Sequence, residues 1–160
     1  MTVWAFNIPN EKNYDLVCES LKQGISRFGW SYLDTADLNK LADKADEDCS
    51  DDECEIWEKS CFLLDIEKGD WVVHINVPEK GKVTAGKVLS EYQFDQSRKG
   101  DFRHYFELDK DSIISFDRDD TRVPEVLSKR LKLQGRYWTI KVEEEFFEVI
   151  DGLKKDIINK

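Results

Sequence analysis

The run from Leu64 to Val88 limits the fold more than any other segment, because two apolar stretches with strand periodicity stand on either side of turn residues. Gly69-Asp70 supplies turn chemistry ahead of Trp71 to Val77. Pro78 to Gly81 closes that stretch and turns the backbone into Val83 to Leu89. The spacing predicts an antiparallel hairpin. With further short alternating runs on both sides, the chain reads as an α+β fold, a small mixed β-barrel of about five to six strands with flanking helices.

Thr2 to Ile8 alternates as a half-buried strand would and stops at Pro9-Asn10. Asn13 is a predicted cap for a helix carrying Leu16, Val17 and Leu21, with Gly24 as its stop signal. Ile25 to Tyr32 reads as extended. Asp34 or Thr35 is expected to cap a short helix bearing Leu38 and Leu41, and Asp43 to Glu55 reads as a solvated acidic loop or frayed helix. Ile56 to Leu64 restores an apolar face.

Beyond the hairpin, which is expected to run on to Phe94, Phe102 to Leu108 alternates and Ser112 to Phe116 is a short apolar piece. Pro124 to Leu133 is predicted helical, Arg136 to Val142 is a last strand, and Glu143 to Ile158 is an amphipathic helix turning Phe146, Phe147, Ile150, Leu153 and Ile157 inward. A chain of 160 residues suits one domain with a real core.

Charge is distributed unevenly. Met1 to Asp70 holds 7 basic and 17 acidic residues and Trp71 to Lys160 holds 17 of each, so the whole net charge of −10 falls in the first part. That balance argues against tight, sequence-independent binding to duplex phosphates, and leaves room for a pocket that reads a base with few phosphate contacts. No long apolar run or basic leader opens the chain, so neither a membrane contact nor a signal peptide is expected, and a cytoplasmic location is. Cys18, Cys49, Cys54 and Cys61 are then expected to be free thiols.

Four pieces together resemble the PUA-like superfamily, and within it the EVE-like domains. They are Val3-Trp4-Ala5-Phe6-Asn7-Ile8-Pro9, Phe28-Gly29-Trp30-Ser31, Lys68-Gly69-Asp70-Trp71-Val72-Val73 and Ala85-Gly86-Lys87-Val88. The sequence departs from that pattern in having Asn-Ile-Pro after the first strand, in lacking Gly-Val-Arg-Asn after the Trp, and in carrying an acidic insertion near residues 43–58. The resemblance implies a non-catalytic module that holds an unpaired or flipped base of DNA or RNA, often a modified one, in an aromatic pocket.

Candidate ligand-binding residues follow. Trp30 can stack on a base, with space cleared by Gly29 and a hydroxyl beside it on Ser31. Asn7 can read a base edge or form an Asx turn before Pro9. His74 and Asn76 share one face of a strand by alternation. Arg103 and Tyr105 share a face of the next alternating run, where they can line a nucleotide-binding mouth or pair across strands. Lys129, Arg130, Lys132 and Arg136 form the most basic local cluster, suited to a phosphate backbone or to a solvated helix face. Each of these residues has a structural use that competes with the binding one.

Two other functions are compatible with the sequence. The acidic stretch Asp43 to Glu58 suits a regulatory module that docks a basic protein partner. Asp117, Asp119 and Asp120 after a strand are compatible with a metal-dependent nuclease. The cysteines lack zinc spacing, the acidic run lacks calcium-loop spacing, and no phosphate loop is present, so no cofactor is expected.

Overall fold

The computed structural model describes residues 1–7 and 11–158. Along the chain lie β1 (Val3–Asn7), α1 (Tyr14–Lys22), β2 (Ile25–Phe28), α2 (Leu38–Ala42), α3 (Asp51–Ser60), β3 (Trp71–Ile75) and β4 (Lys82–Lys87). They are followed by β5 (Gln93–Phe94), β6 (His104–Glu107), β7 (Ile114–Asp117), α4 (Glu125–Arg130), β8 (Tyr137–Thr139) and α5 (Glu143–Ile158).

The strands form two sheets. Five lie in the order β7-β4-β3-β1-β8, with β1 parallel to β3 and every other pair antiparallel, and β2-β6-β5 form a small antiparallel sheet. The predicted hairpin is present as β3 and β4, in a register that opposes Trp71 to Lys87 and Ile75 to Val83. It does not run to Phe94: the chain leaves the large sheet after Lys87, and β5 joins the other sheet. A bridge between Val88 and Leu108 and a bond from Leu89 N–H to Glu107 O (2.8 Å) link the sheets at one corner.

The expected barrel of five to six strands is therefore corrected. Among the described residues there are eight strands in two sheets, which do not close into a barrel. The physical reason lies in β3, which occupies the centre of the large sheet and is buried along its whole length, so both of its faces need cover. Alternation divides the cover. Val3, Ala5, Trp71, Val73 and Ile75 face Leu127 of α4, Leu131 just after it, and Phe146 and Ile150 of α5. Phe6 and Val72 face the opposite way, toward Val17, Leu21, Phe28, Ile56, Leu63 and Phe106.

The Gly69-Asp70 turn does more than reverse the chain. The buried Asp70 carboxylate accepts Thr2 N–H (2.9 Å), Glu67 N–H (3.0 Å) and the Trp4 indole N–H (3.2 Å), fastening β1 beside β3. Gly86, opposite Val72, gives the second layer close access: a Cβ there would stand 2.9 Å from a Leu108 methyl.

Three local expectations change. The cap of α2 is Asp37, whose carboxylate accepts Asn39 N–H (3.0 Å), rather than Asp34 or Thr35. The acidic stretch is not loop throughout, because α3 starts inside it on a capping box between Ser50 and Glu53. Glu53 is 5% exposed, takes both oxygens to the Lys44 ammonium (3.0 and 3.1 Å), and is held at a pKa of about 2 first by Ser50 N–H and then by Lys44. In α5, Val149 is buried and Ile157 is 65% exposed, since the last turn extends past the sheet it covers. All four cysteines are free thiols.

Candidate functional site

The site grows out of the end of the small sheet. β2 and β6 pair with Phe28 opposite His104, and extending that register places Trp30 across from Phe102 and Ser31 across from Asp101. The ladder stops there. Trp30 and Phe102 both adopt left-handed backbone, φ 60° and 63°, a conformation that bulky residues hold only when their surroundings enforce it.

Both are anchored through their carbonyls. Trp30 O accepts from His104 Nε2 (2.9 Å), and Phe102 O accepts from Arg27 Nη1 (3.1 Å). A carbonyl can only accept, so His104 carries its proton on Nε2, and its Nδ1 accepts from the Tyr92 hydroxyl, which in turn accepts Leu38 N–H (3.2 Å). Burial pushes the His104 pKa down to about 4. Between the separated strands, Ser31 Oγ takes the place of ladder bonds. It accepts from Arg103 N–H (2.7 Å) and His104 N–H (3.3 Å), and its proton is shared between Phe28 O and Asp101 Oδ1.

The separation opens a cavity of about 260 Å3 between the two sheets. Its apolar wall is Phe6, Phe28, Trp30, Phe62, Leu63 and Phe102. The Phe62 ring is itself stacked on Tyr137 (centroids 3.6 Å apart). At the edges stand Arg27, Lys59 and Arg136 against one carboxylate, Asp101, so cations outnumber anions here in a chain of net charge −10. The Lys59 ammonium lies over the Trp30 ring, 5.9 Å from its centroid. The size lies just under the range of about 300–1,000 Å3 typical of drug-sized ligands, which suits one flat ring with its edge groups.

His74 forms part of the cavity lining and is 1% exposed. It reaches across from the large sheet to Ser26 Oγ (2.6 Å) between the rings of Phe6 and Phe28, and burial drives its pKa down to about 4, so it is neutral at pH 7. Asn7 gives both amide protons to the 133–135 turn, to Leu133 O (2.9 Å) and Gly135 O (2.8 Å). That fastening brings Arg136 to the cavity, where its guanidinium donates to Lys59 O (3.1 Å).

Of the residues singled out in the sequence, Asn7, Trp30, His74 and Arg136 meet at this cavity. Ser31 lies fully buried behind Trp30 as the strand-end link, with its hydroxyl spent on backbone. Asn76 does not share a face with His74: β3 ends at Ile75, and Asn76 turns left-handed (φ 63°) to accept Gly81 N–H (2.9 Å). Arg103 is 1% exposed, pairs with Asp34 (2.8 Å) and lies over the Phe94 ring, because the left-handed Phe102 interrupts the alternation that predicted its direction. Tyr105 donates to Gln93 Oε1 (2.9 Å) under the Arg27 guanidinium, outside the cavity lining.

The basic cluster divides. Lys129 pairs with Glu125 (3.2 Å), Lys132 with Asp119, and Arg130 is exposed on α4 with its carbonyl accepting from the Trp138 indole (2.9 Å). The carboxylates after β7 are committed locally, Asp120 to Arg122 and Asp117 to the backbone of Asp119. Among the described residues no three His, Cys, Asp or Glu side chains are grouped to hold a metal ion, and no helix is long and apolar enough to cross a membrane. Sequence reasoning missed Arg27, Lys59, Phe62, Asp101 and Phe102. Only Asp101 had a local signal, the polar turn that precedes β6.

No family model and no curated protein matches the chain. Among solved structures it is similar to protein Atu2648 from Agrobacterium tumefaciens, a Northeast Structural Genomics Consortium target, at 14% identity over 94% of this chain and 92% of that one, with a TM-score of 0.43.

Proposed function

We propose that this chain is a non-catalytic nucleic-acid-binding module of PUA-like, EVE-like type that receives one unpaired or flipped base, modified or not, in the cavity beside Trp30. The observation that carries this reading is the cavity itself: an aromatic slot for one ring, framed by two strained aromatic residues, with cations gathered at its edge in an otherwise acidic chain. Strain kept at a cavity wall is a frequent mark of a ligand site. Lys59 and Arg136 at the cavity lining supply positive charge that phosphates flanking a bound base would need, and the net acidity elsewhere disfavours non-specific duplex binding.

Fluorescence anisotropy with single-stranded and duplex oligonucleotides, carrying unmodified or methylated bases, tests this. Single strands, or duplexes with a base that leaves the stack readily, should bind. Trp30→Ala, with its fold checked by circular dichroism, should lose about 1–3 kcal/mol of binding, the range for one stacked base. Absence of binding to every strand at high micromolar protein removes the proposal.

A further inference from the structure

Gly24 and Gly86 are glycines that the fold requires. Gly24 has φ 77°, and a Cβ on Gly86 would stand 2.9 Å from a Leu108 methyl. Gly29, which continues β2 into the cavity wall, has neither reason to be glycine. Its φ lies outside the left-handed region, so the backbone there does not call for one. Beyond its chain neighbours, the nearest atoms to a Cβ built on it are Asp101 Oδ2 at 3.6 Å and the Phe102 ring at 3.7 and 3.9 Å, all ordinary van der Waals distances. Alanine would fit, and glycine instead leaves the unfolded chain more freedom to lose and the folded chain one contact fewer. Gly135 and Gly152 are equally unconstrained, but neither lines the cavity.

The gap beside Gly29 is also held open. Asp101 Oδ1 accepts Ser31 N–H (2.9 Å), Ser31 Oγ–H (3.1 Å) and Phe102 N–H (2.7 Å), and the Phe102 carbonyl accepts from Arg27 Nη1 (3.1 Å). These bonds fix the two residues that face Gly29, so neither can relax into the gap. Protein interiors leave few voids, and a missing side chain beside fixed walls suits the close approach of a ligand to the backbone.

We infer that Gly29 is the clearance residue of this site: the bound ring occupies the space that a side chain at position 29 would take, against the Asp101 carboxylate and the Phe102 ring. This rests on the base-binding reading above. A side chain added there competes with the ligand for volume and leaves the fold intact. Affinity and stability should therefore move apart, whereas a glycine serving the fold would lose both together.

Gly29→Ala and Gly29→Leu are compared with wild type in urea unfolding, and in fluorescence anisotropy with single strands carrying a central cytosine or 5-methylcytosine. Alanine should leave the urea midpoint at or above that of wild type. It should weaken binding by about tenfold or more, the scale of one methylene group in a close-fitting pocket, and leucine should weaken it further. Unchanged affinity in folded Gly29→Ala and Gly29→Leu overturns the inference and leaves base binding standing. A loss of affinity matched by an equal loss of stability overturns it too, because the glycine would then serve the fold. Failure of wild type to bind any single strand removes the base-binding reading itself. The alanine variant decides the matter even where the leucine variant does not fold.

Discussion

His104 holds Trp30 in place: the imidazole Nε2–H donates to the Trp30 carbonyl oxygen across 2.9 Å, at a residue whose φ is 60°. This bond joins the buried chain from Leu38 N–H through the Tyr92 hydroxyl to the wall of the cavity. His104→Ala should strand the Tyr92 hydroxyl and the Trp30 carbonyl and leave a void, costing about 3 kcal/mol in urea unfolding at unchanged m value. It should also weaken base binding, although His104 is not part of the cavity lining.

Acid should destabilise the fold in two windows. His74 and His104 are both pushed from 6.5 down to about 4 by burial, so between those values the unfolded chain binds protons that the folded chain refuses. Their contribution is complete above pH 6.5 and falls as pH drops toward 4, by on the order of 3 kcal/mol for each imidazole. Glu53, lowered from 4.5 to about 2, acts below that: its stabilisation is present above pH 4.5 and is lost as pH falls toward 2. Thermal unfolding followed from pH 8 to pH 3 should show a decline that begins near neutrality. His74→Gln should make the upper part of that decline shallower.

Arg103 is a structural cation, and its replacement by lysine should not be conservative. Its guanidinium lies over Phe94 with the centroid 4.6 Å away, and donates to Asp34 Oδ1 (2.8 Å) and Asp95 O (3.1 Å). A lysine keeps the charge but not the planar set of donors, so Arg103→Lys should lose about 2 kcal/mol of stability in chemical denaturation. A folded variant should bind oligonucleotides with the same salt dependence as wild type.

Lys59 and Arg136 should behave in the opposite way. Neither has an acidic side-chain partner within ion-pair distance among the described residues, and both line the cavity. Replacing both by glutamine should change the melting temperature little and reduce the slope of log affinity against log salt by about 0.7 for each single-strand phosphate that is no longer neutralised. Replacing Lys129 and Lys132, which already have Glu125 and Asp119, should leave that slope unchanged.

The local chemistry of this chain was legible in its sequence where neighbours along the chain decide the outcome. Gly69-Asp70 and the alternation around it specify the β3–β4 hairpin, Gly24 stops α1 with φ 77°, and the period of Glu143 to Ile158 matches α5. Ser50 and Glu53 carried a readable capping box that the acidity of the surrounding stretch obscured. What only the tertiary structure decided is how distant segments meet. The central strand is covered on both faces, which prevents barrel closure, and left-handed backbone at Trp30 and Phe102 depends on Arg27 and His104 arriving from other strands. Alternation therefore pointed Arg103 and Asn76 in directions that the backbone at 102 and 76 reverses. The cavity itself assembles residues from positions 6 to 136, and contacts across such separations are set by packing free energy rather than by local propensity.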